Sequence, residues 1–188
     1  MFIRSERLFL RPGWTEDCDE LLRLIADEQI VRNLAAAPWP YTRDDAETFL
    51  GLRQARLLPN FLITRPSASG SEIVGNIGFG RNGDDVEVGY WIGRQHWGKG
   101  YATEALRSVL KLARALGHRR LVAGHFVDNP ASGRVLTKAG FSPTGKSLRH
   151  SLARSEDVMS IDYAISLDPC NSDAGNEADD GMAVKRAA

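Results

Sequence analysis

A glycine-containing loop between a predicted strand and a predicted helix is the part of this sequence best suited to bind a charged ligand. Residues 86–92 alternate β-branched or aromatic side chains with a glutamate, a glycine and a tryptophan, which predicts a strand. Residues 102–116 carry one apolar stripe at helical spacing. The loop between them, residues 93–100, therefore runs into a helix N-terminus, where unpaired N–H groups and the helix dipole favour an anionic phosphate.

The spacing of the glycines in this loop decides which phosphate ligand fits. Gly93-x-x-x-x-Gly98-Lys99 nearly matches the P-loop of nucleotide hydrolases, but Gly100 stands where that loop needs a Ser or Thr to hold magnesium. The glycines do not fit the G-x-G-x-x-G pattern of dinucleotide-binding proteins either. The pattern that remains is Gln95-x-x-Gly98-x-Gly100 at the start of the helix.

That pattern resembles the acyl-CoA pyrophosphate loop, Q/R-x-x-G-x-G/A, of the GNAT acetyltransferase superfamily. The longer segments SERLFLRP at 5–12 and GYWIGRQHWGKGYATEAL at 89–106 resemble the Rim-type branch, which includes ribosomal-protein N-terminal acetyltransferases. A further segment over 129–141 is similar to the N-x-x-S…K-x-G-F stretch of the same branch. The resemblance covers about residues 2–167. It implies an α+β (mixed α/β) fold, a single GNAT-fold domain with a central, mostly antiparallel sheet flanked by helices.

The resemblance implies acetyl-CoA as cosubstrate and a set of residues that would bind it. The pyrophosphate would lie on the N–H groups of the loop from Gln95 to Ala102. Asn129 would contact the pantetheine arm or act only as a helix cap, and Arg134 would reach the outer phosphate of the nucleotide. The cofactor-binding residues expected on this basis are Trp91, Ile92, Gln95, Gly98, Lys99, Gly100, Tyr101, Ala102, Asn129 and Arg134. No metal is expected, because the four histidines are scattered without metal-ligand spacing.

Transfer of an acetyl group to an amine needs the amine to be neutral. A lysine-like amine with a pKa of about 10.4 pays roughly 4.6 kcal/mol to lose its proton at pH 7, and an α-amine near 7.8 pays roughly 1 kcal/mol. A general base is therefore useful. Glu87 on the central strand is the first candidate, because many family members carry a glutamate there, and His125 on the next strand is the alternative.

The group that meets the leaving CoA sulfur is less clear from the sequence. Many superfamily members carry a tyrosine acid within an L-Y-x-K-x-G-F pattern, and here Leu136 occupies the tyrosine position. Rim-type enzymes also lack that tyrosine, and a serine matching Ser132 is then a candidate for the contact with sulfur. The catalytic residues expected are Glu87 and Ser132.

Composition limits the partners. The chain of 188 residues has a formal net charge of zero and no basic run interleaved with aromatics, which argues against nucleic-acid binding. No apolar run approaches the length of a transmembrane helix, and two cysteines form no disulfide framework, so a cytoplasmic protein without membrane contact is expected. The oligomeric state is left open between monomer and homodimer.

Periodicity and turn signals predict the remaining elements and the domain limits. Residues 168–188 hold five acids and two bases and read as a disordered tail behind a domain over 1–167. Asn82-Gly83 predicts a hairpin turn, and Thr42 with Asp45 predicts a capped helix start. The predicted strands are 2–11, 61–64, 73–79, 86–92, 120–127, 146–152 and 158–165, and the predicted helices run from Asp17 loosely to Leu34, from 43 to 57, from 102 to 116 and from 130 to 139.

The function predicted is N-acetyl transfer from acetyl-CoA to a primary amine, either a protein N-terminus or a small molecule. Trp39 and Tyr41 lie in the loop that lines the acceptor site in the superfamily, so they are candidates for substrate contact. The alternative is a non-catalytic CoA-binding regulatory module, which the missing tyrosine at position 136 favours.

Overall fold

The computed structural model describes residues 1–52, 55–68 and 70–167. Within them the chain forms eight strands, five α-helices and two short 3₁₀ turns. The strands are β1 (Ile3–Arg4), β2 (Phe9–Arg11), β3 (Asn60–Ser67), β4 (Gly70–Asn82), β5 (Asp85–Ile92), β6 (Arg120–Phe126), β7 (Ser142–Ser151) and β8 (Glu156–Ser166). The helices are α1 (Cys18–Ile25), α2 (Glu28–Val31), α3 (Arg43–Gly51), α4 (Tyr101–Ala115) and α5 (Pro130–Lys138).

The described strands form one sheet in the order β1-β2-β3-β4-β5-β6-β8-β7. Neighbouring strands are antiparallel except β5 and β6, which are parallel and joined by the crossover helix α4. This architecture confirms the predicted mixed α/β fold with a mostly antiparallel sheet.

Helices cover both faces of the sheet. The apolar stripe of α4, including Leu106 and Val109, is fully buried against β5 residues Val88 and Ile92 and against Leu136 of α5. On the other face, α1 and α3 form a second cluster around Leu21, Leu24, Ala46, Leu62 and Ile73. The central strand β5 is therefore covered along one face by α4 and α5, and on the other face the second helical layer covers its carboxyl end at Trp91. Within the described residues, no helix is both long and apolar enough to cross a membrane.

The N-terminal part of the chain differs from the prediction in two places. The single strand predicted over 2–11 is a hairpin, because the Ser5 amide donates to the Leu8 carbonyl at 2.9 Å and turns the chain between β1 and β2. The helix predicted from Asp17 to Leu34 ends at Ile25, and α2 starts separately behind Asp27, whose side chain accepts from the Gln29 amide.

The two side chains expected to cap α1 instead bind residues from other parts of the fold. Asp17 precedes α1, but its carboxylate binds the Arg11 guanidinium through two contacts of 2.7 Å instead of capping the helix. Glu20 accepts from the Ile73 amide at 2.7 Å. By contrast, the capping box between Thr42 and Asp45 forms as predicted.

Other boundaries shift because pairing extends the strands. β3 and β4 pair as far as Ser67 and Gly70, so most of the stretch between the predicted strands 61–64 and 73–79 is strand as well. Helix α3 ends at Gly51, short of the predicted position 57. The hairpin turn at 82–83 falls one residue later, with Asn82 paired to Asp85 and Gly83 at a φ of 59°. The tail at 168–188 lies outside the described residues.

Candidate active site

The parallel strands β5 and β6 separate soon after they meet. Among the described residues, their register consists of one pair, Glu87 with Val122, although β5 continues to Ile92 and β6 to Phe126. We call the resulting gap between residues 88–92 and 123–126 the seam. It opens towards the carboxyl ends of both strands, the end of an α/β sheet at which ligands bind.

Backbone groups of β5 point into the seam. The Gly93 amide donates to the Val74 carbonyl of β4 at 2.9 Å, in line with the β4–β5 register that pairs Gly75 with Ile92. Hydrogen-bonding groups alternate between the two edges of a strand, so the amides of Tyr90 and Ile92 face the seam, while the Val88 amide takes part in the Glu87–Val122 pair. The seam is thus lined by strand donors that suit a ligand with amide or carbonyl groups.

The loop at the open end of the seam has the conformation that its glycines allow. Gly98 and Gly100 have φ angles of 75° and 81°, in the left-handed region that glycine adopts without strain. Glu104 is the first residue of α4 whose amide bonds backwards, to the Gly100 carbonyl at 3.1 Å. The amides of residues 101–103 therefore point out of the helix end, as an anion site at a helix N-terminus requires.

The N-terminal hairpin holds this helix end in place. The Glu104 carboxylate accepts from the Ser5 hydroxyl at 2.7 Å and from the amide and Nε of Arg7 at 2.8 Å each. Arg7 in turn donates to the Lys99 carbonyl at 3.0 Å and lies over the Tyr101 ring. Burial works against the Glu104 charge, but the Arg7 and Ser5 hydrogen bonds outweigh it and lower its pKa.

A groove of about 760 Å³ runs beside the contact between Glu104 and the N-terminal hairpin. It passes between the β1–β2 turn and the solvent face of α4, and it reaches the loop at Gly100 and Thr103. Five cations are among its lining residues: Arg4, Arg7, Arg107, Lys111 and Lys138. Two acids, Glu6 and Glu104, also line the groove, and Glu104 is paired with Arg7, so an excess of positive charge remains next to the helix N-terminus.

The residues expected to bind the cosubstrate fall into three groups. Gln95, Gly98, Lys99 and Gly100 are exposed on the loop, Arg134 is exposed on α5, and Asn129 caps α5. Ile92 and Tyr101 are buried in the core and Ala102 is half-buried, so only their backbone groups face the loop and the seam.

Trp91 lies elsewhere. Its side chain is on the opposite face of the sheet from Ile92, packed with the clusters of α1 and α2. The Ile92 carbonyl accepts from the indole Nε1 of Trp97 at 2.6 Å, which fixes the loop to the end of β5.

Glu87 projects from the face of β5 that carries Gly89 and Trp91. Its carboxylate forms an ion pair with Arg149 of β7, which also binds Asp162 of β8 at 2.9 Å. Burial lowers the pKa of Arg149, but hydrogen bonds and charge from both carboxylates outweigh this effect and raise it. Gly89 is exposed and has open space where a Cβ would stand, so the sheet surface beside Glu87 is accessible.

The β7–β8 hairpin closes over this face at its far side. The Leu152 amide donates to the Ala35 carbonyl at 3.0 Å, and Arg154 binds Asp128 at 2.9 and 3.1 Å. Arg154 also donates to the Arg32 carbonyl. The Arg154 hydrogen bond is the main cause that lowers the Asp128 pKa. Of the two aromatics predicted in the neighbouring loop, Tyr41 packs against α1 and Trp39 is exposed.

His125 lies on the other face from Glu87. Its Nδ1 is 2.8 Å from the Phe126 carbonyl, and its ring packs against Tyr163 at 5.6 Å. The buried Nε2 has no hydrogen-bond partner among the described residues and points at Gly133 of α5. The alternative base is thus not beside the open face that Glu87 occupies.

Ser132 is half-buried in the first turn of α5 and meets Tyr90 of β5. The two hydroxyl oxygens are 2.9 Å apart, and the Tyr90 hydroxyl also donates to the Ser132 carbonyl at 3.2 Å. Leu136, at the position of the absent tyrosine, is completely buried in the core.

Sequence reasoning missed Arg7, Glu104, Tyr90 and Arg149. The first two form a contact between residues 97 positions apart, and the pairing of Arg149 depends on the order of four strands. Tyr90 carried a usable signal, since it lies within the strand that leads into the loop. In the described part of the chain, no three His, Cys, Asp or Glu side chains are grouped to hold a metal ion.

Comparison with known proteins identifies the family of this chain. The acetyltransferase (GNAT) domain family matches residues 7–142. The uncharacterized N-acetyltransferase YoaA of Bacillus subtilis is 29% identical over 152 residues, covering 76% of this chain and 84% of YoaA. The ribosomal-protein-serine acetyltransferase of Escherichia coli is 35% identical over 74 residues, covering 37% of this chain and 41% of that protein.

Solved structures show the same fold. A GNAT-family acetyltransferase from Bacillus anthracis has a TM-score of 0.76 at 24% identity, covering 89% of this chain and 99% of that one. RimL, a ribosomal L7/L12 alpha-N-protein acetyltransferase in complex with coenzyme A, has a TM-score of 0.74 at 20% identity, covering 88% and 98%. The chain therefore belongs to the GNAT family of acetyltransferases, enzymes that take their acetyl group from acetyl-CoA.

Proposed function

We propose that this protein transfers an acetyl group from acetyl-CoA to a primary amine, either a protein N-terminus or the amine of a small molecule. The observation that carries the proposal is the seam. It begins at a loop built for phosphate and separates Ser132 on one face of the sheet from Glu87 on the other. A thioester bound in the seam would be open to an amine arriving from the Glu87 side.

The donor half of the site suits coenzyme A. The amides of residues 101–103 and the left-handed glycines of the loop receive the pyrophosphate, with Gln95 and Lys99 beside them. The cations of the groove and Arg134 of α5 suit the phosphate groups of the nucleotide. The arm follows the seam past the β5 amides to Asn129 and Ser132. RimL, a protein of the same fold, holds coenzyme A.

On the acceptor side, Glu87 accepts the proton that the amine must lose, directly or through a water molecule. Arg149 holds its carboxylate and also binds Asp162 through its other guanidinium nitrogen. Glu87 and Tyr90 are three residues apart on one strand, so they lie about 10 Å apart along it and project to opposite faces. The Tyr90 amide, which faces the seam, is placed to stabilise negative charge on the thioester oxygen.

Two kinds of acceptor remain in this proposal. The Escherichia coli relative is named for the serine of a ribosomal protein, which supports a protein N-terminus as acceptor. An α-amine also asks less of Glu87, since it loses its proton near neutral pH. The accessible sheet surface at Gly89 accommodates either a peptide or a small amine.

Thermal melts with coenzyme A and acetyl-CoA test the donor site. A ligand at 100 times its Kd stabilises the folded state by about 2.7 kcal/mol, which raises Tm by about 5–10 °C in a domain of this size. NAD and ATP should do much less. A Tm that does not respond to millimolar acetyl-CoA would overturn the proposal.

Two glycines at opposite ends of α4 provide matched variants. Gly100 and Gly117 have φ angles of 81° and 86°, so alanine costs similar backbone strain at both. Gly100→Ala should lose most of the CoA-induced shift, whereas Gly117→Ala should keep it. Release of free thiol with a panel of amines and N-terminal peptides then separates an enzyme from the alternative, a non-catalytic CoA-binding module.

A further inference from the structure

Tyr90 supplies a hydroxyl that the sequence pattern of α5 lacks. The position of the usual tyrosine is Leu136, which is completely buried and turned into the core. Tyr90 instead comes from β5, one wall of the seam, and places its hydroxyl 2.9 Å from the Ser132 Oγ of α5. The two hydroxyls therefore meet on the face of the sheet that α5 covers, beside the gap through which the arm of coenzyme A would pass.

We propose that Tyr90 is a positioning residue that orients the Ser132 hydroxyl as the hydrogen-bond donor to the CoA sulfur when that sulfur leaves. This inference rests on the proposed function and assigns the half of the site opposite Glu87. The carbon–sulfur bond breaks with its electron pair going to sulfur, while the amine nitrogen bonds to the acetyl carbon. The proton of the amine departs on the Glu87 side, and the thiolate is stabilised by the Ser132 O–H.

The hydrogen bonds of Tyr90 allow this orientation. The Tyr90 hydroxyl has one hydrogen and two neighbours on Ser132, the carbonyl oxygen at 3.2 Å and Oγ at 2.9 Å. When Tyr90 donates to Oγ, the hydrogen of Ser132 is free to point to sulfur. The resulting chain runs from sulfur to Ser132 to Tyr90, and each bond in such a chain strengthens the next.

Burial keeps Tyr90 in the protonated form that this chain needs. Burial, partly offset by the hydrogen bond with Ser132, raises the pKa of Tyr90 to about 12. An ordinary thiol has a pKa of about 8.5, so the thiolate does not take the tyrosine proton and is protonated by solvent after release. Tyr90 thus acts through Ser132 and is itself not altered by the reaction.

The test measures the thiol pKa of coenzyme A bound to the protein. Ultraviolet absorbance of the thiolate, followed against pH and corrected with the ligand-free protein, gives this value without any acceptor. A hydrogen bond to a charged group is worth about 1.5–3 kcal/mol, or about 1–2 pH units. Ser132→Ala and Tyr90→Phe should each raise the bound thiol pKa by about one unit or more, and Tyr163→Phe, which removes another tyrosine hydroxyl from the same core, should not.

A mutant cycle in kcat gives the second readout. If Tyr90 acts through Ser132, Tyr90→Phe should lower kcat by about 10-fold or more in the wild type and have little further effect in a Ser132→Ala background. The KM for acetyl-CoA should stay near the wild-type value in both backgrounds.

Two results would overturn the inference. One is an unshifted bound thiol pKa in Tyr90→Phe and Ser132→Ala, and the other is a Tyr90→Phe protein that folds but no longer binds coenzyme A. If Tyr90→Phe does not fold, Ser132→Ala alone decides, and an unshifted pKa there refutes the donor. Failure of the wild-type protein to bind coenzyme A would instead refute the proposed function.

Discussion

Replacement of Glu87 by glutamine removes the proposed base while preserving the shape of its surroundings. The amide oxygen of glutamine still accepts from Arg149, and Asp162 still holds the other side of the guanidinium at 2.9 Å. The ion pair is partly solvent-exposed, with 26% of the Glu87 side chain accessible. The free energy of unfolding should therefore fall by no more than about 1 kcal/mol.

The expected effect on catalysis is much larger. A positioned base contributes about 10²–10⁴-fold to rate, which corresponds to about 2.7–5.5 kcal/mol of activation free energy. In Glu87→Gln, kcat should fall by this factor at neutral pH while the affinity for acetyl-CoA survives. Raising the pH should restore part of the rate, because more of the acceptor amine is then neutral without help. The restoration should be easier for an α-amine than for a lysine-like amine.

Asp162→Asn is the matched control for Glu87→Gln. It weakens the other contact of the same arginine, and 24% of the Asp162 side chain is accessible, close to the value for Glu87. Its stability loss should be similar, but kcat should stay within roughly threefold of wild type, a change of about 0.7 kcal/mol. Steady-state thiol release between about pH 6 and pH 9 measures all three proteins. Near-wild-type turnover of Glu87→Gln across this range would refute the assignment of the base.

Two further predictions concern the loop. Glu104→Gln should lower the free energy of unfolding by about 1–3 kcal/mol and weaken CoA binding about tenfold, because three donors from Ser5 and Arg7 lose a charged acceptor. Calorimetric titration measures the CoA affinity, and an unchanged affinity would contradict the proposed role of Glu104 in holding the loop. His96 is buried within the loop, and burial lowers its pKa below the usual 6.5. The folded protein therefore disfavours the protonated ring, so the free energy of unfolding is highest above pH 6.5 and decreases as the pH falls below that value. Melts between about pH 5 and pH 7 should show Tm dropping in the wild type and less in His96→Asn, and parallel curves would exclude this role.

The elements that carry the donor site could be predicted because their signals are local. Strand alternation before the loop, the glycines within it and the apolar stripe after it are all consecutive, and the Asn129-Pro130 helix start is equally local. The side chains of Asp17 and Glu20 show the limit of such signals. Both fit a helix cap, yet Arg11 and the Ile73 amide bind them in the folded protein.

The arrangement around Glu87 and Ser132 lay beyond the sequence for a different reason. Arg149 of β7 reaches Glu87 of β5 across β8 and β6, and no local pattern encodes this strand order. The contact of Tyr90 with Ser132 depends on how far β5 and β6 diverge. Local sequence patterns thus indicate candidate residues for the site but not the residues with which they pair.

Within the described residues, β5 and β6 share a single residue pair, which divides the sheet into two parts, β1–β5 and β6–β8. The strands within each part are paired by continuous backbone hydrogen bonding. Helices α4 and α5 pack across the joint between β5 and β6 on one face of the sheet, where they share a hydrophobic core. Spontaneous opening of the sheet should concentrate at this joint, where the fewest backbone bonds must break. A ligand bound between β5 and β6 should therefore stabilise the sheet where the two strands share the fewest hydrogen bonds. Release of the product should then depend on local opening of the sheet as well as on motion of a surface loop.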